Sequence, residues 1–490
     1  MAVNGKGHKP PEPAQLAEAI EVLKRTVGSY GWSMHPGLIE PHAVDWTGSI
    51  RGDSPLLLKP ATTQEVVKIV GICRQYGLKI VPQGGNTSLA GGSVPSGDHV
   101  EIIVNLARMN KVRAIDTIND TITVDAGCLL ASIQAEAANA GRFFPLRLAS
   151  EGSCQIGGNL ATNAGGSNVI RYGNTRDLVL GLEVVLSDGR IWNGLRALRK
   201  DNMGYDMKQL FIGSEGTLGI ITGAVLKLFP RPASIATAVC AVPSLQAALE
   251  LLALSKQRTG GQVTAFELMP RNGLELVFKH FPACRMPLDK LYDWQVLIEF
   301  SSIDEAVSQH ERIEATLSEA YASGLIVDAA IAASIEQGRS FWAIREALAE
   351  ADMKEGATIQ GDISVPISAI PDFLDSCSSA IANAVDGARI IAFGHLGDGN
   401  IHFGVIEPEA ASTEDFLARS NEIEEIICDH AHRFGGSVAA EHGLGAMKTN
   451  AVLKYRGDVE HDLMLAIKHS LDPQDMMNPG KLLQASRPLL

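Results

Sequence analysis

The sequence predicts an α+β fold in more than one domain, on three observations. At 490 residues the chain is longer than a single hydrophobic core supports, so two or three domains are expected. Helical and strand periodicities alternate through the first half, and the second half repeats strand, helix, strand. Between the halves stands Phe229-Pro230-Arg231-Pro232, where two prolines in four residues block continuation of either element.

Each element has its own signal. The first ten or so residues read as a disordered tail, after which Leu16, Ile20, Leu23 and Val27 recur at amphipathic-helix spacing. Thr62 and Glu65 form a capping box, Val66 to Cys73 supply an apolar face, and Gly77 ends that helix. Strands are expected at Leu78–Val81, Val100–Val104 and Thr121–Asp125, then a helix from Leu129 to Ala140 stopped by Gly141. Leu182–Leu186 and Arg190–Trp192 flank Ser187-Asp188-Gly189, a hairpin turn. Beyond the proline break, strands are expected at Thr237–Val242, Val263–Met269, Gln295–Phe300 and Leu325–Ala329. Helices are expected at Ser244–Gln257, Ile303–Tyr321 and Ile335–Lys354, and an antiparallel sheet with helices on one face accommodates them. From about Ser437 the chain reads as mainly helical and closes on the loop Asn478-Pro479-Gly480-Lys481. The resulting divisions are a tail and helix over 1–40, a first domain over 41–232, a second over 233–436 and a helical segment over 437–490.

Composition narrows the function. A net charge of −14 disfavours nucleic acid and anionic membranes as partners, although cations inside a pocket can still hold an anionic substrate. Seven cysteines without a Cys-x-x-Cys fit a reducing compartment. The polar, proline-rich start carries no secretory signal and no run is long enough to span a bilayer, so the cytoplasm is expected.

Three glycine-rich stretches carry the first chemical signal. Pro82-Gln83-Gly84-Gly85-Asn86-Thr87-Ser88-Leu89-Ala90-Gly91-Gly92-Ser93 follows a strand, and its glycines let successive N–H groups point into one concavity, which suits a pyrophosphate. Gly152-Ser153-Cys154 leads into Ala161-Thr162-Asn163-Ala164-Gly165-Gly166, and Gly213-Ser214-Glu215-Gly216-Thr217-Leu218-Gly219-Ile220 leads into a strand. No Gly-x-Gly-x-x-Gly follows a strand and no P-loop occurs, so neither a Rossmann site nor a nucleotide-triphosphate cradle has support. Flexible turns alone would explain one such loop more readily than three.

These stretches resemble the FAD domain of the vanillyl-alcohol oxidase/p-cresol methylhydroxylase superfamily. The resemblance implies an FAD-binding domain of the p-cresol methylhydroxylase type, followed by the antiparallel-sheet substrate domain and the C-terminal segment. It implies that Gly84, Gly85, Asn86, Thr87, Ser88, Leu89, Gly92 and Ser93 hold the FAD pyrophosphate. Gly152, Ser153, Gly157, Asn163 and Gly165 would run along the flavin, Ile220 would lie near the adenine, and Asn478 would join the set from the C-terminal loop. Neither His nor Cys occurs in the first loop, so FAD is expected to be non-covalent, with Cys154 the one candidate for a link.

A second constellation lies near the C-terminus. Gly394-His395-Leu396-Gly397-Asp398-Gly399-Asn400-Ile401-His402 turns a strand back so that both imidazoles could project to one end of a strand pair. Glu441-His442-Gly443-Leu444-Gly445 follows, and two His with one Glu form a well-attested catalytic zinc set, although either His alone is more often structural. The combination resembles the metal-dependent D-2-hydroxyacid dehydrogenases of the same superfamily. That resemblance implies His395, His402 and Glu441 as ligands of a divalent metal such as zinc and His442 as general base. It also implies a carboxylate contact for Arg345, with Gln360 and Asn400 beside the substrate. A surface salt bridge from Arg345 to Glu346 or Glu350 is the alternative. The expected substrate is a small anionic D-2-hydroxy acid such as D-2-hydroxyglutarate, D-lactate or a D-malate-like acid, with an electron-transferring flavoprotein or quinone as acceptor and a homodimer as a common assembly.

The chain departs from the D-2-hydroxyglutarate pattern in its anion clamp. Ala349 stands where that pattern has Thr, Gln360 where it has Lys, and Gly404 where it has Asn. Substrates with an apolar or uncharged tail therefore compete with glutarate, though Gln360 can still hydrogen-bond a carboxylate. A flavin oxidase of an alcohol or phenol without a catalytic metal, a zinc hydrolase and a non-catalytic binding protein are the competing readings.

Overall fold

A computed structural model describes residues 11–484, and the tail expected over the first ten residues lies outside them. The first helix, Pro13–Val27, buries Ala19, Ile20, Leu23 and Val27 as the spacing requires. Helix Thr63–Tyr76 starts where Thr62 accepts the Glu65 N–H at 3.1 Å. The reciprocal half of the expected box is shifted, because the Glu65 carboxylate takes the Ala61 N–H at 2.8 Å. Gly77 closes the helix at φ +67°, the left-handed conformation of a helix end.

The chain then enters strand Lys79–Gln83, which runs parallel to Glu101–Asn105 in a four-stranded sheet with Leu57–Leu58 and Trp32–Ser33. The first glycine-rich loop leaves the carboxyl end of that strand. A second, antiparallel sheet orders Val112–Asp116, Thr121–Asp125, Ile220–Lys227, Val179–Val185 and Ile191–Gly194. The last two strands form the expected hairpin, with Leu182 opposite Gly194. One core joins both sheets, and Val66, Ile69, Ile102, Val124, Val184 and Ala224 all lie within it.

Phe229-Pro230 is not the clean break that the prolines suggested. The two residues form a short strand paired with Arg142–Phe143, and the Tyr172 ring meets Phe143 and Phe229 edge-on at 5.9 and 4.9 Å. A proline at a two-residue sheet edge costs no ladder bond that the strand needs.

Beyond it, a seven-stranded antiparallel sheet orders Asp328–Ile331, Ser234–Val242, Trp294–Ser302, Val263–Pro270, Arg389–His395, Asn400–Ile406 and Thr358–Ser364. Alternation along Ser234–Val242 sends Ala236, Ala238 and Cys240 to one face, under helices Leu245–Thr259, Gln309–Ala322, Ile370–Ala384 and Ser420–Arg433. Val239 and Ala241 face the other side, under Arg271–His280 and Ile335–Glu355. The expectation of helices on one face is thus corrected: both faces are covered. The short helix Arg271–His280, which buries Leu274 and Val277 at helical spacing, is an element the sequence reading did not assign. Helix Gln309–Ala322 starts six residues later than its apolar pattern, because Ser308 caps it by accepting the Glu311 N–H. The strand expected at Leu325–Ala329 lies at Asp328–Ile331.

The C-terminal segment is irregular from Ser437 to Asn450 and helical over Ala451–Arg456 and Asp458–Leu471. Its end returns to the first sheet, where Ile80 donates to Met476 C=O and Asn478 donates to Ile80 C=O. No helix among the described residues is long and apolar enough to cross a membrane.

Phe300 is fully buried in the middle of the large sheet. Phe300→Ala is expected to lower the unfolding free energy of the second half by about 3–5 kcal/mol. Chemical denaturation followed by fluorescence reads this as an earlier midpoint, and an unchanged midpoint contradicts the packing described.

Candidate active site

The hairpin Arg389–His395 and Asn400–Ile406 pairs His395 with Asn400 and Phe393 with His402, while Thr358–Ser364 sets Asp362 opposite His402. Paired residues share a face, so both imidazoles and the Asp362 carboxylate emerge together at one sheet end. Glu441 reaches them from the irregular C-terminal segment. One ligand atom from each of His395, His402 and Glu441 lies within 4.8 Å of the others, and His395 Nε2 stands 3.5 Å from Glu441 Oε1. That separation is close to the distance between two ligands at a tetrahedral angle around a zinc ion with bonds of about 2.1 Å. The donor set therefore fits a divalent cation of the zinc type.

Hydrogen bonds orient two of these three side chains, His395 and Glu441. Glu267 Oε1 lies 2.9 Å from His395 Nδ1, which leaves Nε2 toward Glu441. Burial opposes charge on His395, but the Glu267 and Glu441 carboxylates raise its pKa to about 9. Burial drives His402 well below the ordinary imidazole value, against the pull of Asp362 and with the push of His395 and His442. Glu441 Oε1 also accepts the Gly166 N–H at 2.7 Å, and a side chain at Gly165 would meet the same oxygen at 2.7 Å. The second glycine-rich loop thus abuts the proposed metal set.

Asp362, His402 and His442 also converge. The Asp362 oxygens, however, are already engaged: Oδ2 accepts the N–H groups of Ala440, Glu441 and His442 at 3.2, 2.8 and 2.9 Å, and Oδ1 accepts the Asn400 amide at 2.9 Å. Asp362 is an anchor for the Glu441-His442 segment. The His442 Nδ1 stands 3.7 Å from it, beyond hydrogen-bond reach, and the ring stacks on His402 at 5.9 Å.

Arg345 is buried rather than on the surface. Its Nε donates to Glu267 Oε2 at 2.9 Å and its guanidinium lies over Phe393 at 4.9 Å. Glu346 instead meets Arg147, so the surface-pair alternative fails. The Arg345 Nη2 and the Asn400 Oδ1 are buried without a partner among the described residues. These two orphaned polar atoms lie beside the His395, His402 and Glu441 cluster and are of the kind a bound ligand satisfies. Gln360 does not point an open amide at this place, since its Nε2 donates to Asp352 Oδ2 at 2.9 Å.

The first glycine-rich loop fits an anion. The backbone N–H groups of Gly85, Asn86, Thr87, Ser88 and Leu89 have no protein acceptor among the described residues. All five residues are half-buried. The second loop lies directly against them, because a side chain at Gly85 would meet the Ser153 C=O at 2.1 Å. Several expected ligand residues shape these loops through their side chains. Asn86, at φ +54°, donates to Pro41 and Val44 C=O and accepts from Ser93. Asn163 ends the helix Ile156–Thr162 in the left-handed conformation and accepts the Arg176 N–H. Gly157 packs on Ala126, Gly152 is unobstructed, and Ile220 is buried at the head of its strand. Asn478 donates to Gly92 and Glu215 C=O at 2.8 and 2.6 Å. Cys154 is buried, which raises its thiol pKa and disfavours the thiolate that a covalent flavin link needs.

Four residues were missed in the sequence. Glu267 and Asp362 hold His395 and the C-terminal segment, and for Glu267 a lone acid inside an apolar strand was the available signal. Glu215 accepts the Leu444 and Gly445 N–H groups at 2.9 Å each, and burial pushes its carboxyl up to about 7. Lys481, the last residue of the Asn478 loop, has a buried Nζ without a hydrogen-bond partner among the described residues.

Residues 55–194 match the family described as FAD binding domain, and residues 231–482 match FAD linked oxidases, C-terminal domain. The class is therefore an FAD-linked oxidoreductase. The mitochondrial D-2-hydroxyglutarate dehydrogenase of Arabidopsis thaliana is 39% identical over 448 residues, covering 91% of this chain and 78% of that protein. The D-2-hydroxyglutarate dehydrogenase of Xanthomonas citri pv. viticola is 35% identical over 462 residues, covering 94% and 96%. A putative mitochondrial D-lactate dehydrogenase of Schizosaccharomyces pombe is 35% identical over 492 residues, covering 97% and 92%. The structure of p-cresol methylhydroxylase with substrate bound has the same fold, with a TM-score of 0.77 at 14% identity over 98% of this chain and 99% of that one. The chain belongs to the FAD-linked D-2-hydroxyacid dehydrogenase family, on the fold that p-cresol methylhydroxylase also has.

Two outcomes test this geometry. Asp362→Asn replaces a carboxylate that accepts four N–H groups. It should cost about 1–3 kcal/mol of stability and weaken zinc binding roughly 10–100-fold, read by thermal melting and by zinc titration; wild-type zinc affinity contradicts the anchor. Glu215 has a folded pKa raised from 4.5 to about 7, so its contribution to stability is fully present below 4.5 and is lost as pH rises toward 7. Glu215→Gln should flatten that fall in melting temperature, and an unaltered slope contradicts it.

Proposed function

We propose that this protein oxidises a small D-2-hydroxy acid to its 2-oxo acid, using non-covalent FAD and a divalent cation, zinc by its donor set, held by His395, His402 and Glu441. The supporting observation is the double contact of Glu441, 3.5 Å from His395 Nε2 and 2.7 Å from the Gly166 N–H, which brings the cation set against the cofactor loop. When bound, the cation supplies the Lewis acidity that makes a 2-hydroxyl acidic, and FAD supplies the hydride acceptor.

The chain's own residues do the rest. Arg345 turns its unpartnered Nη2 to the substrate carboxylate, and burial strengthens that contact. His442, half-buried and stacked on His402, takes the 2-hydroxyl proton. Asp362 fixes the backbone of Glu441 and His442 together, so ligand and base keep one spacing. Asn400, held by Asp362 and Ile363 C=O, offers its orphaned Oδ1 to the substrate side. Residues 41–232 serve FAD, 233–436 the substrate, and 437–490 complete the site.

The substrate class includes D-2-hydroxyglutarate, named in several relatives, and D-lactate, named in another. A D-malate-like acid also belongs to it. An electron-transferring flavoprotein or quinone is the proposed acceptor, and a homodimer the proposed assembly. All seven cysteines are free thiols, which suits a reducing compartment such as the cytoplasm.

The test is anaerobic. D-isomers should bleach the bound flavin and L-isomers should not, chelation should abolish bleaching, and zinc, manganese or cobalt should restore it. His442→Asn should slow flavin reduction by about 10²–10⁴-fold. Bleaching that ignores chelation would favour a metal-free flavin oxidase instead.

A further inference from the structure

The second glycine-rich loop has a surface neighbour that the chemistry at the cation set does not use. Residues 195–207 run without helix or strand from strand Ile191–Gly194 to helix Lys208–Phe211, and every residue from 198 to 206 is exposed. The downstream end is fixed to the cofactor loop. Arg176 donates from its backbone to Asn163 Oδ1 at 2.9 Å and from Nη1 to Gln209 C=O at 3.0 Å. Gly213 and Glu215 then donate to Leu160 and Ala161 C=O. The upstream end is tied to the turn before strand Thr121–Asp125, where Asn119 Nδ2 donates to Ala197 C=O and Arg199 Nη2 donates to Asn119 C=O. Turn and loop therefore share one surface beside the loop expected to run along the flavin.

That surface carries apolar side chains. Among the described residues, four large hydrophobic side chains are more than nine-tenths exposed, and three of them, Ile118, Met203 and Tyr205, stand here with the exposed Leu198. Apolar residues scattered singly are ordinary on a surface, whereas several on two adjoining loops mark an interaction site. The surface is also basic, in a chain with 56 acidic residues against 42 basic. Within residues 195–208, Arg196, Arg199, Lys200 and Lys208 stand against Asp201 and Asp206. Arg196 pairs with Asp201 and Lys208 with Asp206, which leaves Arg199 and Lys200 without an ion pair among the described residues. Lys227 lies alongside. Burial lowers its pKa, Asp177 opposes that, and the charges of Arg199 and Lys208 add to it.

We propose that this surface docks an acidic electron-acceptor protein that carries a flavin, with Met203 and Tyr205 as apolar anchors and Arg199 and Lys200 steering its negative charge. This rests on the reading that the chain is an FAD-linked dehydrogenase whose acceptor is another protein. Reoxidation passes two electrons from reduced FAD to the acceptor's flavin, which is reduced by the same two and takes up a proton from water as FAD releases its own. A site beside the cofactor loop shortens the path that those electrons cross. Tyr, Met and Arg are residue types that protein interfaces favour. A membrane is the poorer occupant, because an irregular loop carries N–H and C=O groups that lipid cannot satisfy. The net charge of −14 also repels anionic headgroups.

The test reduces the FAD-loaded enzyme with one equivalent of dithionite and mixes it anaerobically with an electron-transferring flavoprotein. Reoxidation, followed by flavin absorbance, should slow with rising salt in the wild-type enzyme. Arg199→Gln with Lys200→Gln should lower the second-order rate constant about tenfold and remove most of that salt dependence. Met203→Ser with Tyr205→Ser should weaken binding of the two proteins about tenfold or more. Both double variants should keep wild-type flavin content, solution mass and reoxidation by a small benzoquinone. A flavoprotein that does not reoxidise the wild-type enzyme, or reoxidises both double variants equally fast, overturns the proposal. So do anionic vesicles bearing quinone that reoxidise the wild type and not the variants, which assign the surface to a membrane. A changed mass or flavin content in both double variants overturns it too, in favour of a second copy or the cofactor. Failure of every D-2-hydroxy acid to bleach the flavin strikes at the dehydrogenase reading, whereas the docking measurement starts from chemically reduced enzyme and fails separately.

Discussion

The carboxylate of Asp362 sits between two parts of the chain that are about 80 residues apart, and the arrangement of the site depends on it. It accepts three consecutive N–H groups from Ala440, Glu441 and His442 and a fourth from the Asn400 amide. An irregular segment has no ladder of its own to fix its height over a sheet, so these bonds set where Glu441 and His442 stand relative to His395 and His402. Burial opposes the charge that does this, but the His442 imidazole and the N–H groups hold the Asp362 carboxyl well below the usual carboxylate range. The acid stays ionised and keeps accepting throughout the physiological pH range.

From this anchor a chain of charge-assisted contacts leads across the molecule. Arg345 binds Glu267, Glu267 binds His395, His395 faces Glu441, and Glu441 accepts from Gly166 in the cofactor loop. Each buried charge in that series is matched by the next, which is the condition for burying charges at all. Glu215 makes a second connection of the same kind, from the third glycine-rich stretch to Leu444 and Gly445. The cofactor domain, the large sheet and the C-terminal segment therefore meet at acids. Apolar packing builds the cores on either side of the meeting point.

Much of this was legible in the sequence wherever a local rule decides the outcome. The glycine-rich loops announced themselves because bare backbone N–H groups and close approaches such as Gly85 on Ser153 tolerate no side chain. His395 and His402 were legible because a Gly-Asp-Gly turn brings them to one strand end. The strands of the large sheet were visible in their apolar runs, to within a few residues. What escaped was decided at a distance. Glu267 lies 128 residues from His395, and Asp362 lies 79 from Glu441, so nothing beside either acid names its partner. Asn86, Ser93 and Asn163 read as cofactor contacts, yet their side chains shape the loops. The second covered face of the sheet was missed for a similar reason: Ser234–Val242 is apolar on both faces, and such a strand does not say which helices cover it.

The central claim is that His395, His402 and Glu441 hold one cation beside the flavin, and an anomalous-diffraction map of FAD-loaded crystals at the zinc edge tests it most directly. The account predicts a single peak about 2.0–2.2 Å from one nitrogen of each imidazole and from a Glu441 oxygen, on the substrate side of the isoalloxazine ring. A map with no peak at these side chains after zinc soaking, or a peak ligated instead by Asp362 and His442, would contradict it.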